Sequence, residues 1–394
     1  MPPRPPTLPI VLAGFTAFLD LYATQPLLPH FMDVFAASHF DVTLTVTVAT
    51  IAVALSAPIA GRLGDRFGRK QVIVVSAFLL TVATAAAATA ATLGQLLLWR
   101  FVQGLATPGV FATTIAYIHD EWPSSHTGRA TAAYISGTVT GGFCGRALVG
   151  IVASRWSWQT AFVVLTIVNL AAAIALAAGL PRERRHEAAP PGGHRRSLRR
   201  LLRNRQLVAT DAVGLCVLFT QVAMFTFVTF HLSGPRYGLG TAALGSLFIV
   251  YLVGAAATPL AGHWIDARGH RFGIASGIAI GLAGALTTLV PSLPAVVVGL
   301  AMVATGVVIS QATASSFIGS VTADDRGLAV GLYSTCYYAG GSLGAALPAL
   351  FWTRGGWGAC VALVVAVQLT TIMIALKFWS DGRGTAAPMP ETGM

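Results

Sequence analysis

The sequence GRLGDRFGRK, Gly61 to Lys70, places four basic residues, one Asp and three Gly between two apolar runs. Each flanking run has about twenty residues, the length that spans a bilayer as a helix. Charge of this density is not stable in hydrocarbon. The stretch therefore predicts a tight turn at a membrane surface, in which Gly supplies the sharp backbone. The Lys/Arg cluster predicts that this surface is the cytoplasmic one.

Composition excludes an ordinary soluble domain. Of the 394 residues, 55% are hydrophobic and only 10% are charged, and the mean hydropathy is +0.72, so the apolar surface requires lipid. In a soluble protein the net charge of +11 would suggest nucleic acid. Here the basic residues lie in short loops beside apolar runs, so we predict no nucleic-acid partner.

The distribution of basic residues predicts the topology. Among the 25 Lys and Arg residues, only Arg155, Arg236 and Arg354 fall in loops on the side opposite Gly61–Lys70, and only Arg100 and Arg146 fall inside apolar runs. Positive charge is retained in the cytoplasm during insertion. We therefore expect a multi-pass protein of the inner, or plasma, membrane with both termini in the cytoplasm.

Windows of about nineteen residues predict an all-α membrane protein with twelve transmembrane helices. Residues 181–206 hold nine Arg together with Pro and Gly, which predicts a basic cytoplasmic linker whose second half is a surface amphipathic helix. The linker divides the chain into two predicted six-helix bundles, 1–180 and 207–394. The predicted spans are 8–30, 42–61, 71–92, 95–118, 130–153 and 158–180, then 207–230, 240–261, 272–291, 294–319, 327–350 and 357–379.

The two predicted bundles repeat the same landmarks. GHWIDARGHR, Gly262 to Arg271, repeats the Gly and Asp positions of Gly61–Lys70 about two hundred residues later. GGFCGR at Gly141–Arg146 aligns with GGSLGA at Gly340–Ala345, with nearly the same offset. Agreement between independent landmarks indicates an internal duplication, as in many transporters.

The pattern G-x-x-x-D-x-x-G-R-K resembles the signature loop between the second and third helices of the major facilitator superfamily of transporters. The resemblance extends over essentially the whole chain, and it implies two bundles that alternate in access. It also implies a cytoplasmic gate that bridges to the start of the eleventh helix, although Asp65 could equally cap a helix end. The gate residues would be Gly61, Asp65, Gly68 and Arg69, with Asp266 and Arg268 as a weaker second copy.

Three charged residues fall inside predicted spans, where insertion costs about 2.5–3.5 kcal/mol each. Asp20, Arg100 and Arg146 lie at comparable depth when counted at 1.5 Å per residue, so we expect them to interact. Burial favours the protonated form of a carboxyl and a nearby cation favours the ionised form. Asp20 could therefore couple proton uptake to a conformational cycle as Arg146 or Arg100 approaches and withdraws. The alternative is a static ion pair that fixes helix register.

Two further stretches resemble family motifs. RFVQG, Arg100 to Gly104, is similar to the fourth-helix motif whose Arg is implicated in proton transfer. The fifth-helix run of Gly137, Gly141, Gly142 and Gly145 resembles the Gly-rich motif of antiporters, except that Arg146 stands where that motif usually has Pro. The same glycines have a second interpretation, simple close packing of two helices.

The family fold implies that polar and aromatic residues of the first, fourth, seventh and tenth spans face a central substrate cavity. Interhelical hydrogen bonding is an alternative for each of them. No cofactor, catalytic residue or metal site is predicted, and members of the superfamily commonly work as monomers. The cavity candidates are Tyr22, Thr24, Gln25, Gln103, Gln221, Phe225, Gln311 and, on the eleventh span, Tyr337.

The resemblance implies a secondary active transporter and no enzyme. The stretch DLYATQPLLP, Asp20 to Pro29, resembles bacterial exporters of drugs and small metabolites that work by proton antiport. We therefore expect proton-coupled efflux of a small lipophilic or cationic compound by alternating access. Proton-coupled transport of an organic anion or a sugar-like metabolite remains open, as does a receptor-like homologue that does not transport.

Overall fold

The computed structural model describes residues 7–181, 183, 194–256, 268–321 and 326–379, and in these ranges the regular secondary structure is entirely helical. Eight helices in these ranges are long and apolar enough to cross a membrane. The first half, residues 7–181, contains a short 3-10 helix, Gln25–Leu27, and seven α-helices. These are α1 (Leu8–Leu19), α2 (Leu28–Phe35), α3 (His39–Phe67), α4 (Arg69–Ala88), α5 (Leu93–Glu121), α6 (Ser124–Arg155) and α7 (Trp158–Gly179).

The remaining helices begin in the linker. The predicted helix in its second half is present as α8, and residues 250–256 form a short helical stretch after α10. The last helix contains two predicted spans, which meet where Gly355 and Gly356 leave helical geometry. The elements are α8 (His194–Arg203), α9 (Arg205–Ser233), α10 (Thr241–Leu247), α11 (His270–Thr287), α12 (Leu293–Val321) and α13 (Arg326–Phe378). We call residues 205–379 the second half.

Two predicted boundaries are corrected by the structure. The turn predicted over Gly61–Lys70 is confined to Gly68, which adopts φ 93° and ψ 137° between α3 and α4. The charged residues before it continue α3 to Phe67, because a helix satisfies its own backbone hydrogen bonds in water as well as in lipid. The first span is not one helix of residues 8–30: α1 stops at Leu19, and helix resumes only at Gln25.

Glycines set the distance between α1 and α6. A Cβ built on Gly137, Gly141 or Gly145 would overlap the backbone carbonyl of Val11, Phe15 or Leu19, respectively. The second half repeats this arrangement, since a Cβ on Gly340 or Gly344 would overlap the carbonyls of Leu215 and Phe219 on α9. Small residues allow such backbone contact in membrane helices. The duplication that was predicted from sequence is therefore also a duplication of packing.

The halves meet at the end of the bundle that is remote from Gly68. The ring of His39 at the start of α3 lies 4.9 Å from Phe230 and 5.5 Å from Trp352 of the second half. Closer to the centre, the hydroxyls of Thr50 and Ser342 are 2.9 Å apart. We call the end that carries Gly68 the loop end, and the end that carries His39 the far end. The two halves pack against each other at the far end and in the centre.

Candidate functional site

The interruption of the first span is stabilised by Arg100. The last carbonyls of a helix have no partner within the helix and form the negative end of its dipole. The fully buried guanidinium of Arg100 donates to the carbonyls of Asp20 at 2.8 Å and Leu21 at 2.5 Å, and its Nε donates to the carbonyl of Thr45 on α3 at 3.0 Å. Arg100 therefore holds the broken end of α1 against α3.

Replacing Arg100 with Lys should lower the thermal stability of the purified protein strongly. An ammonium keeps the charge but lacks the planar fork that reaches three carbonyls. The Asp20 carbonyl would keep the Ala23 N–H as a donor, whereas loss of the donor to the buried Leu21 carbonyl costs about 1–3 kcal/mol. Thermal unfolding in detergent measures the effect, and Arg155→Lys, at the exposed end of α6, is the control. Equal melting temperatures for the two variants would contradict this role.

The Asp20 carboxylate faces the interior of the first half. It is 1% exposed, and its Oδ2 accepts from Thr84 Oγ1 of α4 at 2.9 Å and from Asn169 Nδ2 of α7 at 2.6 Å. Its Oδ1 has no hydrogen-bond partner among the described residues. The predicted direct pairing with a guanidinium is not present, because Arg100 donates to the backbone carbonyl of Asp20 instead.

A relay of two side chains connects Arg100 to the carboxylate. Arg100 Nη1 donates to Gln103 Oε1 at 2.7 Å, and Gln103 Nε2 donates to Thr84 Oγ1 at 2.8 Å. The Thr84 hydroxyl has one proton and lies within hydrogen-bond distance of both Asp20 Oδ2 and the Leu80 carbonyl. It can therefore donate to the ionised carboxylate, or donate to Leu80 and accept from the protonated one. The arrangement accommodates both protonation states.

Arg146 lies in a different environment, at the boundary between the halves. Its guanidinium carbon is 4.9 Å from the ring centre of Tyr22 in the first span. On the side of the second half it is 4.6 Å from Phe248 and 5.2 Å from Tyr251. A cation over each aromatic face contributes about 0.5–2 kcal/mol. Arg146 therefore attracts the two halves to each other in this conformation.

Gln25 connects the interrupted first span to this boundary. Its Oε1 accepts from Arg146 Nε at 2.8 Å, and its Nε2 donates to Thr226 Oγ1 of α9 at 3.0 Å. Arg146 Nη1 donates to the Gly142 carbonyl of its own helix at 2.5 Å. Asp20 and Gln25 thus lie at the two ends of the non-helical segment, one bonded inside the first half and the other bonded across to the second.

The predicted cavity residues separate into two groups. Gln103 belongs to the Asp20 cluster, and Thr24 is fully buried and accepts from Thr45 Oγ1 at 3.3 Å, so both lie inside the first half. The others lie on helices of the boundary or next to it. Tyr22 and Gln25 contact Arg146. Gln221 is hydrogen-bonded to Tyr251, and the Phe225 ring lies 4.4 Å from the Tyr251 ring. Tyr337 packs between Tyr333 and Tyr338, and Gln311 is half-buried on α12.

The loop end holds an ion-pair cluster around Arg69. Its guanidinium contacts Asp120 of α5 at 2.5 Å and Asp65 at 3.5 Å, and Gly64 packs beside it against Thr113. Asp120 was not recognised in the sequence. The available signal was an acidic residue at the end of the fourth span, on the same membrane side as Arg69. Gly61 has no atom within 4 Å of a built Cβ, so it makes no close contact at the loop.

Parts of the predicted gate fall outside the described residues. Gly262 and Asp266 are in 257–267, and residues 322–325, which lie just before the predicted eleventh span, are also outside them. Arg268 lies over the Phe272 ring at 4.7 Å. Next to it Gly269 has φ 87°, so this glycine adopts a positive φ before a helix as Gly68 does.

The beginning of the linker is bonded to the first signature loop. Glu183 Oε1 accepts from the Lys70 backbone N–H at 2.5 Å, and Lys70 Nζ donates to the Leu180 carbonyl at 2.5 Å. A carboxylate at a helix N-terminus is stabilised by the exposed N–H groups and the dipole. Glu183 thus caps α4, a role that sequence reasoning missed because the two residues are 113 positions apart.

Comparisons with known proteins agree over almost the whole chain. The family model for the Major Facilitator Superfamily matches residues 10–255 and 229–392. A relative from Bacillus subtilis (strain 168), the "Uncharacterized MFS-type transporter YybF", is 30% identical over 372 residues, which cover 94% of this chain and 91% of the relative. The "Inner membrane transport protein YnfM" of Escherichia coli (strain K12) is 28% identical over 368 residues, covering 92% and 88%.

A solved structure shows the same fold. It is the crystal structure of a bacterial homologue of the human lysosomal transporter Spinster in an inward-facing, unoccupied conformation. Its TM-score is 0.74 and its identity 18%, and the match covers 95% of this chain and 98% of that one. The fold implies twelve membrane spans, and the family and its relatives are transporters and not enzymes. The duplicated helix packing, the signature loop with its Arg69 cluster and the family match together show that this chain is a multi-pass membrane transporter and belongs to the Major Facilitator Superfamily.

Proposed function

We propose that this chain is a proton-coupled antiporter that exports a small molecule by alternating access, with Asp20 as the group that takes up and releases the proton. The two halves, with the predicted bundle limits of 1–180 and 207–394, rock about the boundary at Arg146. Access alternates between the loop end and the far end. The positive-inside rule supports placing the loop end and both termini in the cytoplasm, with the protein in the inner membrane and active as a monomer.

The environment of Asp20 carries the proposal. A carboxylate with 1% exposure and neutral donors only can be held in either protonation state, whereas a tight ion pair would fix it as an anion. Asp20 also terminates α1, so a change in its hydrogen bonds acts on the non-helical segment that leads to Gln25. That segment connects the protonation site to the contact between the halves.

The proposed cycle gives each charged group a separate task. Protonation of Asp20 removes the acceptor charge that holds Thr84 and Asn169, which frees the interrupted segment to move. Movement of Gln25 disturbs its bonds to Arg146 and Thr226, and these bonds help to hold the halves together. Arg69 and Asp120 stiffen the loop end of the first half while the halves separate. This division needs no direct bond between the Asp20 carboxylate and an arginine.

Two substrate classes fit a proton-coupled exporter of this kind. A lipophilic or cationic compound was expected from the resemblance of the stretch Asp20 to Pro29 to bacterial exporters of drugs and small metabolites. The orientation of Asp20 toward α4 and α7 favours the other class, an organic anion or polar metabolite, since the charged group at the boundary between the halves is Arg146. Gly137, Gly141 and Gly145 support either class as a rigid contact that keeps α1 and α6 together during the cycle.

Proton movement in inside-out vesicles tests the function. Vesicles are acidified by respiration, and a panel of lipophilic cations, organic acids and neutral sugars is added one at a time. An antiporter releases protons from the lumen when its substrate arrives, so we expect alkalinisation with one class of compound and none in vesicles without the protein. If a panel member is taken up without any proton movement, the proposed coupling is wrong.

A further inference from the structure

We propose that Arg146 is the substrate-recognition residue, and that the transported compound is a small organic acid whose anionic group binds this guanidinium. The inference rests on the proposed transport function and adds the chemical class of the substrate. It follows from the charge balance at the boundary between the halves and from hydrogen-bonding groups that are unused there.

The first observation is the lack of a counter-charge. No Asp or Glu among the described residues forms an ion pair with Arg146, since the ion pairs found are both made by Arg69. Arg146 is 4% exposed, and a buried cation without an anion is unfavourable. Three aromatic rings and the carbonyl oxygens of Gln25 and Gly142 contact the guanidinium, but none of them carries a negative charge. An anionic substrate would complete the balance.

Asp20 and Asp211, the two buried carboxylates among the described residues, do not supply this charge. Asp20 is bonded to Thr84 and Asn169 inside the first half. Asp211 lies on α9 fourteen residues from Phe225, which contacts the ring of Tyr251. At 1.5 Å per residue that separation is about 20 Å along the helix. Asp211 is therefore too far toward the loop end to pair with Arg146.

The second observation is a set of unused donors. Arg146 Nε and Nη1 donate to Gln25 and Gly142, whereas Nη2 donates to no described residue. The Tyr22 hydroxyl is buried and has no partner among those residues either, and its ring lies under the guanidinium. A carboxylate accepts from both kinds of donor. A buried donor without a partner, as the Tyr22 hydroxyl is, is rare in proteins unless a ligand or water satisfies it.

The surrounding rings indicate the rest of the molecule. Phe225, Phe248 and Tyr251 form a continuous aromatic surface with centre separations of 4.4 to 6.1 Å. Such a surface favours a planar or apolar body attached to the acid group. Phe248 and Tyr251 belong to the second half, so separating the halves at the far end withdraws them from Arg146. The same movement that changes access therefore changes the binding site.

Export of an anion also agrees with the energetics of the membrane. The potential across a bacterial inner membrane is negative inside, so it drives an anion outward and a proton inward. When an exported anion exchanges for an entering proton, the membrane potential therefore drives both the outward movement of the anion and the inward movement of the proton. A cation exported against an entering proton gains nothing from the potential.

Binding to the purified protein tests the proposal without any proton gradient. Benzoate, acetate and succinate are each compared with the matching amide, and benzoate also with benzylammonium, by the shift in melting temperature they cause. We expect at least one acid to stabilise the wild type while its amide and the cation do not. In Arg146→Gln the affinity for that acid should fall by about tenfold or more. Arg155→Gln, on the exposed end of the same helix, should bind like the wild type.

A second variant separates recognition from a purely structural role. Gln25→Glu places a carboxylate on the atom that already accepts from Arg146, so it supplies the missing charge from within the protein. We expect its melting temperature without ligand to rise and the stabilisation by the acid to disappear. A purely structural Arg146 would give the rise alone, with acid binding unchanged.

Three results overturn the proposal: stabilisation by benzylammonium and by no acid, stabilisation by none of the panel, or unchanged acid binding in Arg146→Gln. These outcomes are independent of proton coupling. A protein that binds benzoate through Arg146 but moves no protons in vesicles would refute the proposed antiport and leave the substrate class intact. Proton movement with a cation would refute the substrate class and leave the antiport intact.

Discussion

Substitution of Asp20 with Asn should abolish proton movement coupled to transport while the protein remains folded and binds its substrate. Asn keeps the volume of the side chain, and its Oδ1 can accept from Thr84 and Asn169 as the carboxylate does. It cannot take up a proton in the physiological range. We therefore expect proton release from acid-loaded vesicles to fall to the level of vesicles without the protein, with the melting temperature nearly unchanged.

The exchange of labelled for unlabelled substrate across the membrane should persist in Asp20→Asn, because exchange needs no net proton movement. Asp33→Asn is the matched control, since Asp33 is an exposed carboxylate on α2, the helix that follows the interrupted segment, and its loss should leave proton coupling intact. If Asp20→Asn released protons like the wild type, the carboxylate would be a structural hydrogen-bond acceptor and nothing more.

Substitution of Gly145 with Ala should cost both stability and transport. A Cβ at this position would overlap the carbonyl oxygen of Leu19, and its three nearest atoms all belong to the Leu19 backbone, so no side chain can move aside. The helices α1 and α6 must separate instead, and overpacking of this kind costs about 1–3 kcal/mol. Because Asp20 follows Leu19 directly, the displacement also reaches the protonation site.

Gly128→Ala is the control on the same helix. A Cβ there has no atom within 4 Å, so Ala should stabilise α6 by up to about 1 kcal/mol through its higher helix propensity. Melting temperature and transport rate are measured for both variants. If Gly145→Ala were as stable and as active as Gly128→Ala, the close approach of α1 and α6 would be required neither for stability nor for transport.

The helical architecture could be predicted because hydropathy and duplication are properties of long stretches. The hydropathy windows predicted twelve spans, and among the described residues each of these spans contains helix. The landmarks at Gly141 and Gly340 make equivalent helix contacts in the two halves. The interruption at Asp20 could not be predicted in this way. Residues 20–24 are apolar enough for hydropathy to continue the span through them, and Pro26, which lacks a backbone N–H, was the nearest local signal of a break. The guanidinium that bonds the carbonyls of Asp20 and Leu21 comes from another span.

The charged candidate residues could be identified because a charge inside a membrane span has a high insertion free energy. Their hydrogen-bond partners could not be identified in this way. A charge inside an apolar run is visible in sequence, so Asp20, Arg100 and Arg146 could all be identified. Depth alone suggested that they meet, whereas helix rotation turns Asp20 toward α7 and Arg146 toward the second half. Asn169, which bonds Asp20, is uncharged and gave no comparable signal.

Infrared difference spectroscopy of the Asp20 carboxyl tests the central claim most directly. The carbonyl stretch of a protonated carboxyl is separate from that of a carboxylate, and subtraction of the Asp20→Asn spectrum isolates this one group. We predict that a protonated Asp20 is present at acidic pH and loses its proton when substrate is added. A carboxyl group whose protonation is the same with and without substrate at every pH would contradict the claim that Asp20 couples proton flow to transport.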